Sequence, residues 1–298
     1  MWQQLLQGIE HGDTRILARA ISFVENEQPG YDQLLSSLTI RSGQQVIGLT
    51  GPPGAGKSTL ADALIGELLK HGKKLAVLCI DPSSPFNLGA VLGDRIRMSN
   101  WYNHPQVFIR SLATRGSLGG LSPKMIEVTD LVKAAGYDHI IIETVGVGQS
   151  EIEIAGLADV TVVVLVPEAG DEVQTMKAGL MEIADVFVVN KADRPDADHF
   201  VKNLRLMLAP AFHSHRDNIP IIKTVASQQT GIAELAQAIE AAAQQPNEKK
   251  RWLLTEKAWQ LIQDHRMKDV KKDVLAKEIS EELQAGSFNL YRLAAKFF

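Results

Sequence analysis

A chain of 298 residues is long enough for one large α/β domain carrying extra helices. Its 45% hydrophobic and 22% charged residues, with a mean hydropathy of -0.04, exclude a disordered or fibrous protein. A formal net charge of -4 and a pI near 6.1 leave no global positive field to recruit nucleic acid or an acidic membrane. No stretch approaches the roughly 18–20 uninterrupted apolar residues of a membrane span, and Met1 to Asp13 lacks the apolar run of a secretory signal. The expected setting is therefore cytoplasmic, with proteins and small molecules as partners, no nucleic acid and no membrane.

In chain order, residues 1–44 read as an N-terminal helical segment. Apolar spacing at Ile16, Leu17, Ala20, Ile21 and Val24, then at Leu34, Leu35 and Leu38, predicts two amphipathic helices around Pro29-Gly30. From Gln45 short β-rich runs alternate with helical patterns. Strands are expected at 45–50, 74–80, 106–110, 138–143, 160–166, 185–190 and 220–225, and helices at 57–71, 121–136, 171–183, 196–208 and 231–244. This alternation predicts an α/β fold, a mostly parallel sheet with helices on both faces, over residues 45–245. A charged segment from 246 to 298 predicts two or three further helices. There Ile279, Leu283, Leu290, Leu293 and Phe297 recur as an apolar stripe, suited to internal packing or to a dimer contact.

The first strand runs directly into Gly51, Pro52, Pro53, Gly54, Ala55, Gly56, Lys57 and Ser58, which match G-x-x-x-x-G-K-[ST] at the strand-to-helix position that mechanism requires. The glycines let main-chain N–H groups approach phosphate oxygens, and the helix opening at Lys57-Ser58-Thr59 adds positive potential. Lys57 can reach the β and γ phosphates and Ser58 can ligate Mg²⁺. The second strand holds the single cysteine, Cys79, so an internal disulfide is excluded. That strand ends in Asp81. The irregular connection 81–105 carries Asp94, and both carboxylates suit either an Mg²⁺ and γ-phosphate role or loop solvation and capping. The fourth strand ends in Glu143-Thr144-Val145-Gly146, where many GTPases carry D-x-x-G with the acid at the metal and the Gly amide at the γ-phosphate. Lys57, Asp94, Glu143 and Gly146 are thus the candidate catalytic residues.

Asn190-Lys191-Ala192-Asp193 follows the sixth strand as an N-K-x-D base reader. The Asp193 carboxylate can accept hydrogens from guanine N1 and its exocyclic amine, a donor pair adenine does not offer there, so GTP is favoured over ATP. After the last strand, Thr224-Val225-Ala226-Ser227 suits a loop backing the base with the main-chain amides of Ala226 and Ser227. Val147 follows Gly146 where Ras-like proteins place a water-orienting glutamine, and Gln149 lies two residues on, so hydrolysis is expected to be slow alone. Arg95, Arg97 and Arg115 are candidates for charge stabilisation in cis.

These segments, with Glu143 to Glu151, Asp81-Pro82-Ser83-Ser84, Leu92 to Met98, Ala18 to Asn26 and Gly170 to Gly179, closely resemble the MeaB/ArgK family of SIMIBI-class P-loop GTPases over roughly residues 15–235. The resemblance implies a GTPase, cycling between GTP and GDP with Mg²⁺, that acts as a chaperone of an adenosylcobalamin-dependent acyl-CoA mutase, typically methylmalonyl-CoA mutase. It would gate cofactor loading and protect the mutase. The resemblance further implies that Ser58, Asp81, Asp94 and Glu143 surround Mg²⁺, that Arg97, Gln174 and Lys177 lie in switch segments sensing the partner, and that the chain forms a homodimer through its terminal helices. Glu168-Ala169 stand where the family is glycine-rich, and Val225 stands where it has a polar residue.

Three other readings are open at this level. A nickel-type metallochaperone GTPase needs Cys or His ligands, for which His213 and His215 are the one close histidine pair. A transport-associated kinase or ATPase would transfer phosphate to a protein. A nucleotide-gated binding module would work by switch motion alone.

Overall fold

The computed structural model describes residues 1–81, 98–113, 124–144, 150–168, 178–208, 219–244 and 248–297. It divides into two compact units, Met1–Lys250 and Arg251–Phe298. The strands of the first unit are β1 (Gln45–Thr50), β2 (Leu75–Asp81), β3 (Val107–Ala113), β4 (His139–Glu143), β5 (Val160–Leu165), β6 (Val186–Val189) and β7 (Ile221–Lys223). They form one sheet in the order β3-β2-β4-β1-β5-β6-β7, with every pairing parallel. All seven expected strands are present. The third runs on to Ala113 rather than stopping at 110.

The helices, in chain order, are α1 (Trp2–Glu10), α2 (Thr14–Glu25), α3 (Tyr31–Ser36), α4 (Lys57–Leu69), α5 (Met125–Ala134), α6 (Ser150–Leu157), α7 (Ala178–Ile183), α8 (Ala197–Leu208), α9 (Ile232–Ala243), α10 (Glu248–Arg266), α11 (Lys272–Gln284) and α12 (Leu290–Ala294). Two findings correct the sequence expectation. The N-terminal segment holds three helices, because α1 buries Leu5 and Ile9 despite its glutamines. Helix α6 was not anticipated, because its apolar residues crowd together and leave no clean polar stripe.

Residues on the strands alternate between two covered faces. Ile47, Leu49, Val77, Cys79, Ile141, Val162 and Val164 share a core with Leu60 and Leu64 of α4 and Leu235 and Ile239 of α9. Val163, Leu165, Phe187 and Val189 face the other way, against Phe200, Val201 and Leu204 of α8. Each fully buried leucine of this kind contributes about 1.5–3 kcal/mol. The N-terminal helices are fixed to the same unit. Asp13 caps α2 by accepting from the amides of Arg15 and Ile16 at 2.8 and 3.0 Å, α2 packs on α5, and Arg110 of β3 donates to Ser22 Oγ at 2.9 Å. Because every strand runs the same way, the ends of β1, β2, β4, β6 and β7 meet at one edge. Parallel α/β sheets bind their ligands along that edge.

Candidate nucleotide-binding site

The loop leaving β1 is shaped by backbone that only glycine allows. Gly51 sits at φ +140, and a Cβ there would lie 2.1 Å from Val164 O; Gly56 sits at φ +88, and a Cβ there would lie 2.5 Å from Asn190 Nδ2. Gly56 is also the N-cap of α4, and no side chain caps that helix. Its first-turn N–H groups therefore point out of the helix end as an anion site. Lys57, 6% exposed, donates from Nζ to Gly51 O at 2.8 Å and Pro52 O at 3.1 Å, which holds the ammonium against the loop. Thr59 is exposed and Ala55 buried.

Behind Lys57 the buried Ser58 Oγ donates to Glu143 Oε1 at 2.6 Å. Strand register explains the meeting: Glu143, the last residue of β4, lies level with Leu49 of β1 and Cys79 of β2. It thus faces α4 as they do. Asp81 ends β2 beside β4, but its side chain lies outside the described residues. So do Asp94, Arg95, Arg97, Arg115, Gly146, Val147, Gln149, Gln174, Lys177, His213 and His215. Among the described residues no group of three or more His, Cys, Asp and Glu side chains is placed to hold a metal.

Two side chains, Asn190 and Lys191, join the candidate base-reading loop to the loop after β1. Asn190, 2% exposed, donates from Nδ2 to Ala55 O at 2.9 Å, while its Oδ1 accepts from Thr224 Oγ1 at 3.1 Å and from the Ala226 amide at 3.2 Å. Lys191, at φ +56, donates from Nζ to Gly54 O at 2.8 Å. The Ala192 amide donates to Thr224 O at 3.0 Å. The side chain of Asp193 is exposed, and Ser227 is exposed on the turn after β7. The structure therefore brings together Gly51 to Ser58, Glu143, Asn190, Lys191 and Ala226. It also gives the Ala226 amide an internal acceptor.

Three contacts here were not read from the sequence. Thr144 Oγ1 donates to Thr50 Oγ1 at 3.1 Å, both side chains being buried. The Thr224 hydroxyl meets Asn190. Arg194, next to the base reader, pairs with Glu168, and this hydrogen bond holds the Glu168 carboxyl below its ordinary range. For the first two the available signal was a polar residue at or next to the end of β1, β4, β6 and β7.

The family profile of the methylmalonyl Co-A mutase-associated GTPase MeaB matches residues 17–282. The chain belongs to this family. A Pyrococcus abyssi protein that carries a provisional GTPase name is 42% identical over 292 residues, covering 97% of this chain and 89% of the relative. The mitochondrial methylmalonic aciduria type A homolog of Caenorhabditis elegans is 39% identical over 207 residues, 64% of this chain and 52% of that protein. A solved structure described as an LAO/AO transport system kinase matches with a TM-score of 0.68 at 26% identity, covering 99% of this chain and 96% of the other. The chain is a MeaB-family P-loop GTPase by these findings, and no described helix is long and apolar enough to cross a membrane.

Proposed function

We propose that the chain binds and hydrolyses GTP as a chaperone of an adenosylcobalamin-dependent acyl-CoA mutase, with methylmalonyl-CoA mutase as the client. The observation that carries the nucleotide part is Asn190, whose single amide joins the phosphate loop at Ala55 to the base loop at Thr224 and Ala226. The client is supported by the family's name and by the relative named for methylmalonic aciduria.

In this reading the α4 N-terminus and Lys57 stabilise charge on the phosphates, and Asp193 accepts from guanine. The oxygen donors Ser58 and Glu143, held 2.6 Å apart, suit a hard divalent cation, and these two with Asp81 and Asp94 would hold Mg²⁺. An ion held there would supply positive charge to the phosphates. Asp94 and the Gly146 amide attend the γ-phosphate. With Val147 after Gly146, water is poorly oriented and turnover is slow until the mutase engages Arg97, Gln174 and Lys177. The chain works as a homodimer in the cytoplasm.

The test is GTP hydrolysis by the purified protein, alone and with methylmalonyl-CoA mutase, with ATP as control. A mutase-dependent, GTP-selective acceleration is expected, and Lys57→Ala should remove GTP binding and turnover. Equal use of ATP would overturn the base reading and favour the kinase reading suggested by the name of the solved relative. An unaccelerated GTPase would overturn the mutase assignment. Binding without single-turnover hydrolysis would leave a nucleotide-gated module.

A further inference from the structure

Thr50 and Thr144 stand at the two strand ends that carry the phosphate chemistry. Thr50 is the last residue of β1, directly before Gly51, and Thr144 is the first residue after Glu143. Their side chains are 0% and 2% exposed, and their hydroxyl oxygens lie 3.1 Å apart. The Thr144 amide also donates to Leu49 O at 3.0 Å.

The pair sits on the face of the sheet away from Ser58. Leu49, next to Thr50, belongs to the α4-side core, whereas Val163, in register with Thr50 across β5, belongs to the α8-side core. Glu143 is therefore held by Ser58 on one face, while the residue after it is held by Thr50 on the other. The end of the strand that carries Glu143 is thus tied to the β1–α4 segment by one side chain on each face of the sheet.

Packing does not explain the hydroxyls. Valine has the same shape, prefers strands and needs no hydrogen bond when buried. Replacing both partners of a mutually satisfied polar pair by apolar groups of that shape is close to neutral for stability. What the hydroxyl pair adds is a fixed distance between two chain segments, and sub-ångström placement is what catalysis demands. We infer that Thr50 and Thr144 are positioning residues for GTP hydrolysis, setting the end of β4 at Glu143 against the phosphate loop. This rests on the GTPase reading of the site.

The experiment compares the wild type, Thr50→Val, Thr144→Val, the double valine variant and the double serine variant. It measures kcat and KM for GTP, GDP affinity and melting temperature. The double valine variant is expected to melt near the wild type and to bind GDP within about twofold while kcat falls about tenfold. The double serine variant, which keeps both hydroxyls, is expected to retain kcat within about threefold of the wild type. A double valine variant with wild-type kcat would overturn the role. So would a parallel fall in kcat and GDP affinity, or a serine variant as slow as the valine one. A wild type with no GTP turnover, alone or with mutase, would instead overturn the GTPase reading and take the positioning role with it.

Discussion

Asn190 has one side-chain amide and three buried partners, and Asp193, three residues on, has an exposed carboxylate. The same four-residue motif therefore contains a structural tie and an exposed carboxylate proposed to read the base, and two substitutions separate them. Asn190→Ala leaves the Ala55 carbonyl, the Thr224 hydroxyl and the Ala226 amide without their amide partner. At about 1–3 kcal/mol for each buried group so exposed, with partial relaxation, the expected loss is about 2–4 kcal/mol in urea unfolding with no nucleotide present. Asp193→Asn, at an exposed site, should move that free energy by less than about 0.5 kcal/mol while weakening GTP binding and its preference over other purine nucleotides. An unchanged urea midpoint for Asn190→Ala would show that the loops are held together without it. The motif was plain in the sequence because its chemistry is local to four residues. Its bridging role was not, because Ala55 and Thr224 lie 135 and 34 residues away and meet Asn190 only through strand order.

Strand β4 opens on a buried histidine. Its first residue, His139, lies in register with Gln45 of β1 and Leu75 of β2, is 7% exposed, and has no hydrogen-bond partner for either ring nitrogen among the described residues. Burial lowers its pKa below the ordinary 6.5, nearby Lys73 lowers it further, and Asp138 and Glu240 oppose the shift. The folded chain thus holds the neutral ring. Above the ordinary value neither folded nor unfolded His139 carries the proton, and the stability is fully present. Below it the unfolded chain takes up a proton that the folded chain refuses, so stability falls with pH until the lowered folded pKa is reached. Thermal melts from about pH 7.5 to about pH 5.5 should show a decline for the wild type that His139→Leu reduces. Equal declines in both chains would assign the effect to other groups.

The strands were legible because buried parallel strands are continuous β-branched runs, such as Val160 to Leu165. Helices with one polar face, such as α8, were legible for the corresponding reason. Helix α6 was hidden because it is covered on several sides: Ile154 and Ala155 are buried, and Ile154 stands against Gly48 of β1. The family resemblance grouped Ser58 with Glu143, and their direct hydrogen bond follows from β4 lying beside β1.

At the scale of the whole molecule, the second unit differs from the first in where its apolar residues lie. Trp252, Trp259, Leu261, Leu283 and Leu290 are 61%, 60%, 53%, 58% and 55% exposed, and Leu293 is the one large apolar residue fully buried among the described residues of that unit. Of the apolar stripe read from the sequence, Leu283, Leu290 and Phe297 are exposed, Ile279 is half-buried and Leu293 is buried. Contiguous exposed apolar surface is what an association surface requires, and these side chains are the candidates for one in this unit. Trp252 and Trp259 stand seven residues apart on α10, two helical turns along one side. If a second copy covers them, light scattering on the eluting protein should give the mass of two chains. Replacing both, as Trp252→Glu and Trp259→Glu, should give one chain, because two buried carboxylates carry a desolvation cost that the interface cannot recover. The candidate nucleotide site is built from residues of the first unit. GDP affinity of that double variant should then match the wild type. A wild type that elutes as a single chain would rule out the homodimer, and a dimer that survives both substitutions would put its interface on other residues.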